Sequence, residues 1–432
     1  YLIATLFIAA MLVLLAVVQA PRSRSAGGFA TDAPPPLLSL ESFRTLAELP
    51  LRDGWSPRFQ STRDPDQPLP WPFGGGFGTP WEPASPYLGD QGVVLNGPDG
   101  RSEVVTVAGE YEEPVPYWEH FQHDLLEVGN GIEWMPLPGV DELVEETDEW
   151  EIRRDGTGAA HKLWKHKSGT PEHIGFHMTT REIWERDYRP HLVRWDPARA
   201  DPEAARKSRE EASSRGLFVS YNTALAWEYM RWSMGDITLY ESLLLDPAWI
   251  HDYCRVYTDL IVAGLAYTFE QSGLPDGIWL TEDLGYRNGL FASPRVLREL
   301  IFPYFKELVD FCHGYDITCV LHSCGSVAEA LPLIVEAGFD GLNPIERKAK
   351  DNDPFVFADK YGDRLAFVGG LDARVFETND KEIIRREVSA FMEGMKARGA
   401  RFAFASDHSI SPRTRYESYL YALEVYREHM MY

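Results

Sequence analysis

The sequence has little positive charge. It contains 42 Lys and Arg residues against 66 Asp and Glu residues, a formal net charge of -24 over 432 residues. A surface this acidic repels phosphate backbones, and the sequence shows no cluster of Lys and Arg that would overcome the repulsion. We therefore expect no nucleic-acid partner.

Cysteine is also scarce, with only four in the chain. A secreted scaffold held by disulfides would carry more cysteines, spread along its length. Here all four lie in one part of the chain: Cys254, Cys312, Cys319 and Cys324. This distribution predicts reduced thiols and a cytoplasmic protein.

Only one apolar run is long enough to cross a bilayer as a helix, from Leu2 to Ala20. Arg22 and Arg24 follow it, and basic residues on that side favour keeping the remainder of the chain in the cytoplasm. The small residues Val18 and Ala20 also fit a signal-peptide cleavage pattern. Three interpretations stay open for 1–20: a membrane anchor, a signal peptide or a non-native extension. We expect any membrane contact to be made through 2–20.

The stretch 21–109 is rich in Pro and Gly, as in Ala33-Pro34-Pro35-Pro36 and the glycine run Gly74-Gly75-Gly76. Such a composition cannot sustain long helices. We predict a linker and irregular structure here, followed by one enzyme domain over 110–432.

Regular alternation of short β-type runs and amphipathic helices begins near Leu217. The predicted strands are Leu217–Tyr221, Gly277–Thr281, Ile317–Leu321, Gly341–Asn343, Leu365–Val368 and Arg401–Ala405. The predicted helices are Pro247–Gln271, Ser293–His313, Val327–Ala337 and Asp380–Arg398. This alternation predicts parallel strands with helical crossovers.

With two more strands before Leu217, the pattern gives a single eight-stranded (β/α) TIM-type barrel. An open doubly wound sheet is the alternative, but no G-x-G-x-x-G loop follows any strand. In the earlier stretch, His161–Lys167 alternates like a strand and Phe121–Val128 suggests a short helix. Ser326 and Glu329 have the spacing of a capping box, although Pro332 favours a helix start nearer Ala330.

Polar residues follow the predicted strands, and the carboxyl ends of barrel strands are where catalytic groups lie. The sharpest feature is His322-Ser323-Cys324, because residues two apart on an extended segment face the same way and both His and Cys bind zinc. A buried cysteine beside a hydrogen-bonded histidine is the alternative. A third metal ligand would come from His408, with Glu282 or Asp283 as a possible fourth. The other residues that follow strands are Asn222, Asn343, Asp372 and Asp407.

The order of these motifs resembles the uroporphyrinogen decarboxylase superfamily, which also contains zinc methyltransferases that act on corrinoid proteins. The resemblance covers about Glu110 to the end. Four segments carry it: Thr281-Glu282-Asp283-Leu284-Gly285, His322-Ser323-Cys324-Gly325, Gly369-Gly370-Leu371-Asp372, and Asp407-His408-Ser409-Ile410-Ser411-Pro412. The corrinoid methyltransferases use His, Cys and a second Cys on zinc, whereas here the last position is His408.

The resemblance implies zinc at His322, Cys324 and His408, and a methyl-corrinoid supplied by a partner protein. Glu282, Asp283 and Asp372 would be the catalytic carboxylates, and Asn222, Asn343 and Asp407 would bind substrate. We expect methyl transfer between a small methylated substrate and the corrinoid protein. The alternatives are a uroporphyrinogen decarboxylase-like enzyme, which needs no His–Cys pair, and a barrel that only binds.

Overall fold

The computed structural model describes residues 121, 123–165, 171–411 and 413–431, together with the backbone of three short strands. These three strands form an antiparallel sheet in one compact unit: Ser56–Pro57, Val93–Asn96 and Ser102–Val105. The remaining described residues belong to a second unit. The predictions for 2–20 and for most of 21–109 fall outside the described residues.

The second unit is built on a parallel sheet of seven strands. Its strands are β1 (Leu125–Val128), β2 (Phe218–Ala224), β3 (Gly277–Thr281), β4 (Thr318–His322), β5 (Gly341–Asn343), β6 (Ala366–Val368) and β7 (Phe402–Ala403). Each strand pairs in parallel with the next one along the chain. A doubly wound sheet would reverse its strand order once. The order here never reverses, as a barrel requires.

The sheet curls so that its two edge strands share one interior cluster. Leu125 of β1 belongs to that cluster together with Ala403 of β7. Side chains of the intervening strands fill the space between them: Trp279, Val320 and Val368, with Phe218 packed against them. The predicted TIM-type fold is therefore confirmed as a parallel sheet curled into a partial barrel. Seven strands of the sheet lie within the described part of the chain, and the six whose positions were predicted are among them.

Helices follow the strands and cover the outside of the sheet. They are α1 (Pro202–Ser214), α2 (Ala226–Leu245), α3 (Pro247–Ser272), α4 (Pro294–Leu300), α5 (Phe302–His313), α6 (Leu331–Ala337), α7 (Pro354–Tyr361), α8 (Arg374–Glu377), α9 (Lys381–Ala397) and α10 (Tyr416–His429). None of the helices in the described ranges is both long and apolar enough to cross a membrane. The predicted ends of α3 and α9 agree with the structure to within one residue.

Three local predictions need correction. The predicted helix over Phe121–Val128 is wrong, because Leu125–Val128 is the first barrel strand. The strand predicted near His161 exists as Ala160–Trp164, but it lies in a separate antiparallel sheet and not in the barrel. The other strands of that sheet are Glu142–Glu146, Trp150–Arg154 and Glu172–Gly175.

The predicted capping box is also wrong. The Ser326 hydroxyl donates to the Lys350 carbonyl at 2.7 Å, and α6 begins at Leu331, as Pro332 favours.

Strand alternation decides which polar groups reach the barrel interior. Val320 lies in the interior cluster, so His322, two residues further along β4, faces the same way. The same rule turns Glu127 inward after Leu125. The interior is thus apolar in its middle and polar at the carboxyl ends of the strands.

Candidate active site

Three donor side chains converge at the carboxyl ends of β3 and β4. The imidazole Nε2 of His322 lies 3.5 Å from the Cys324 thiol and 4.0 Å from Asp283 Oδ1. One ligand atom from each residue lies within 4.8 Å of the other two. Imidazole, thiolate and carboxylate are the three donor types that zinc binds in proteins. The arrangement is therefore chemically suited to a zinc ion.

The orientation of His322 is fixed by Asn343 at the end of β5. Asn343 Oδ1 lies 2.7 Å from His322 Nδ1, and its amide nitrogen donates to the Val368 carbonyl at 3.1 Å. The Asn343 oxygen can only accept, so Nδ1 of His322 carries the proton and Nε2 presents its lone pair to the site. A second hydrogen bond that orients a ligand in this way is a regular feature of metal sites.

The loops after β3 and β4 pack backbone against backbone. Gly325 has a φ of 76°, and a Cβ there would lie 2.4 Å from the Gly285 carbonyl oxygen. Only glycine therefore fits without moving the loop. Asp283 Oδ1 accepts the Cys324 backbone N–H at 2.7 Å, which ties the two ligand-bearing loops together. The close approach sets the distance between Asp283 and Cys324.

Two buried glutamates lie behind Asp283. Glu228 Oε1 accepts the Asp283 N–H at 3.1 Å and a hydrogen bond from Arg231 at 2.6 Å. Burial raises the pKa of Glu228 to about 7. Glu282 accepts the Glu228 N–H at 3.2 Å, and burial followed by repulsion from Glu228 raises its pKa well above the usual range. These carboxyl groups can hold protons near neutral pH.

The surroundings of the Cys324 thiol disfavour its ionised form, and a bound cation would offset this effect. Burial raises the pKa of the thiol well above its usual range, and the nearby carboxylates of Asp283 and Glu346 raise it further. A thiolate surrounded by negative charge is unfavourable until a positive charge compensates it. This is the electrostatic setting expected of a thiol that ionises only on binding a metal.

The remaining predicted residues have other surroundings. His408 is half-buried and is not among the side chains whose ligand atoms meet at His322 and Cys324. Asp407 is buried and accepts backbone N–H groups from Arg347 at 3.0 Å and Ala373 at 2.8 Å, so it joins the loops after β5 and β6. Asp372 pairs with Arg374 at 2.5 Å. Their predicted roles stay predictions.

Asn222 lies on β2, the strand that pairs with β3, and it is opposite Trp279 in the register. Its side chain donates to Glu127 Oε2 at 3.2 Å. Burial raises the pKa of Glu127 to about 7, while the hydrogen bond from Asn222 opposes that shift. Glu127 and Glu228 were missed from the sequence. Glu127 lies in a segment that was expected to be helical. Glu228 lies in an aromatic-rich helix, and the only sequence signal for it was Arg231 three residues further on.

Comparison with protein families identifies the domain. Residues 229–429 match the family model described as uroporphyrinogen decarboxylase (URO-D). The match begins within α2 and includes β3 to β7, with all three converging donors. This match confirms, over residues 229–429, the resemblance to the uroporphyrinogen decarboxylase superfamily that the motifs predicted.

Two solved structures are similar to the chain. A methyltransferase from Methanosarcina mazei shares 16% identity over 71% of this chain and 80% of its own, with a TM-score of 0.48. A xylose isomerase-like TIM barrel protein from Mycobacterium smegmatis in complex with magnesium shares 16% identity over 58% of this chain and 88% of its own, with a TM-score of 0.28. No curated protein sequence matches. Similarities this distant do not indicate a reaction.

Proposed function

We propose that the domain is a zinc-dependent methyltransferase that moves a methyl group between a small methylated substrate and a corrinoid protein. The supporting observation is the 3.5 Å approach of His322 Nε2 to the Cys324 thiol, with Asp283 in reach of both. Decarboxylases that resemble this chain have no need of such a pair. The family match alone is compatible with either reaction.

The ligand set we propose is His322, Cys324 and Asp283, in place of the set with His408 that the sequence suggests. The resembling corrinoid methyltransferases use one neutral imidazole and two thiolates. One thiolate and one carboxylate carry the same total charge, whereas a second imidazole would leave the site one unit more positive. Asp283 therefore preserves the charge balance of the resembling sites.

A zinc ion held by these three groups would supply a Lewis acid with one coordination position left for substrate. Asn343 holds the His322 ring in place, and the Cys324 backbone N–H holds Asp283 Oδ1. Glu228, with its pKa near 7, donates or accepts the proton that accompanies methyl transfer to or from a thiol or hydroxyl group.

The test measures zinc content and methyl transfer on one set of proteins. The substrates are methoxylated aromatics or simple methyl donors, and formation of methyl-cobalamin on a corrinoid partner is followed by its absorbance. We expect about one zinc at this site, lost in Cys324→Ser and in Asp283→Asn but kept in His408→Ala. Cys254→Ala is the matched control, because Cys254 is a buried thiol of α3 that is not part of the donor group.

Uroporphyrinogen is supplied to the same proteins, and loss of carboxyl groups is followed. Turnover of uroporphyrinogen at full rate by Cys324→Ser would contradict the proposal and support decarboxylation. Zinc retained by both Cys324→Ser and Asp283→Asn would contradict the ligand set.

A further inference from the structure

A second group of metal-type donors lies at the opposite end of β4. Cys319 is the second residue of that strand, His313 ends α5, and Asp340 immediately precedes β5. Asp340 Oδ2 lies 2.8 Å from His313 Nε2 and accepts the Cys319 backbone N–H, also at 2.8 Å. One ligand atom from each side chain lies within 4.8 Å of the others.

An equivalent position elsewhere in the sheet shows what strand pairing alone requires. Asp276 precedes β3 as Asp340 precedes β5, and its Oδ2 accepts the N–H of Val219, the second residue of β2, at 2.8 Å. This carboxylate therefore ties two strand starts together without any thiol or imidazole. Within the described ranges Asp276 joins no group of metal-type donors. The Cys319 thiol and the His313 imidazole are therefore not required for the contact between the Asp340 carboxylate and the strand backbone.

The surroundings of this second group favour a cation. Cys319 is buried and points away from the barrel interior, because its neighbour Val320 lies in the interior cluster. The thiol of Cys312 is hydrogen-bonded to that of Cys319. Both Cys312 and His313 stand in the last turn of α5, where the helix dipole attracts positive charge. His313 is exposed and leaves a route of entry.

We propose that His313, Cys319 and Asp340 bind a second divalent cation of the zinc class, with Cys312 as the fourth ligand. The site would join the end of α5 to the starts of β4 and β5, far from substrate, and its role is structural. Binding exchanges protons for metal: the thiols release theirs, His313 binds as a neutral imidazole and Asp340 binds through a carboxylate oxygen. Four protein ligands leave no open position, as is typical of structural zinc.

The test counts zinc per full-length chain after equilibration with excess zinc and removal of the free metal. We expect two zinc ions in the wild type, one in Cys324→Ser, and none when His313→Ala is added to Cys324→Ser. Asp276→Asn is the matched control and keeps both. His313 is exposed, so its replacement leaves the fold intact, and circular dichroism checks this.

Cobalt provides a second measurement that does not depend on activity. In Cys324→Ser, a cobalt–thiolate charge-transfer band should remain, and His313→Ala should weaken it at least about tenfold at limiting cobalt. If the first site takes no zinc, the wild type holds one zinc that survives Cys324→Ser and disappears with His313→Ala, which still supports the second site. One zinc in the wild type and none in Cys324→Ser would overturn it, as would metal content unaffected by His313→Ala.

Discussion

The two ends of β4 carry the same donor types in different surroundings. At the carboxyl end, His322 and Cys324 meet Asp283, with Asn343 orienting the imidazole and buried Glu228 behind. At the amino end, Cys319 faces the helix layer, and His313 reaches it from an exposed helix terminus. The first group faces the barrel interior, whereas the second lies on the helix side of the sheet, with Cys319 buried and His313 exposed. The comparison teaches that the same donor types can stand in very different surroundings on one strand, and the roles proposed for the two groups follow from that difference.

The largest expected difference between the two ends is in activity. Cys324→Ser removes a proposed metal ligand at the carboxyl end of β4. We expect the rate of methyl transfer to fall more than about 100-fold, which is more than the usual effect of changing a residue that only orients a ligand. Cys319→Ser should leave the rate within about threefold of wild type, since it touches no substrate. Initial rates of methyl-cobalamin formation measure both. Equal losses in the two variants would show that the ends are not functionally distinct.

A smaller effect is expected from the orienting residue, Asn343. Asn343→Leu removes the acceptor for His322 Nδ1–H, and we expect zinc affinity at the carboxyl end to fall about 10–100-fold. Asn343→Asp keeps an acceptor and should retain most of the affinity. Competition with a chromophoric chelator measures this, and zinc affinity of the second group should be unchanged. An Asn343→Leu protein with wild-type affinity would mean that the hydrogen bond does not position the ligand.

The third comparison separates the metal role of Asp340 from its role in strand pairing. Asp340→Ala and Asp276→Ala each remove one acceptor, and without zinc each should lower the free energy of unfolding by about 1–2 kcal/mol. Zinc at 100 times its dissociation constant should stabilise the wild type and Asp276→Ala by about 3 kcal/mol, but not Asp340→Ala. Urea unfolding with and without zinc, in a Cys324→Ser background, measures the difference. The same zinc response in both variants would refute a metal role for Asp340.

The smallest effect is a pH dependence at the carboxyl end of β1. Burial raises the pKa of Glu127 from 4.5 to about 7, so the folded state holds a proton that the unfolded state has released. The free energy of unfolding should therefore fall as pH rises from about 4.5 to about 7, and level off above that. Because Glu127 is partly exposed, we expect a change of only about 1–2 kcal/mol.

Glu127→Gln should flatten this pH dependence, because glutamine has no proton to release. Replacing exposed Glu299 with Gln is the control and should leave the curve unchanged. Unfolding curves at several pH values between 4 and 8 measure the slope. A slope that is the same in wild type and Glu127→Gln would contradict the assignment.

Much of the barrel was predictable because the hydrophobic periodicity of many segments matches the strand or helix that they form in the structure. The run Gly277–Thr281 and the helices α3 and α9 have strong periodicity and clear ends, and the structure confirms them. Leu125–Val128 was not predictable in the same way. Its four residues are too few to show a period, and pairing with β2 gives them a strand conformation. The strand at Ala160–Trp164 was recognisable, but its partners in an antiparallel sheet were not.

The sequence by itself determined the strand–helix alternation of the barrel and the spacing that puts His322 and Cys324 on one face, because both are local patterns. Only the tertiary structure decided which third residue meets them. Asp283 and His408 both follow strands, but the glycine contact between Gly285 and Gly325 brings Asp283 against Cys324. Such an approach depends on backbone atoms far apart in the chain, which no local pattern records. The same holds for Cys319, whose neighbours come from α5 and from the residue before β5.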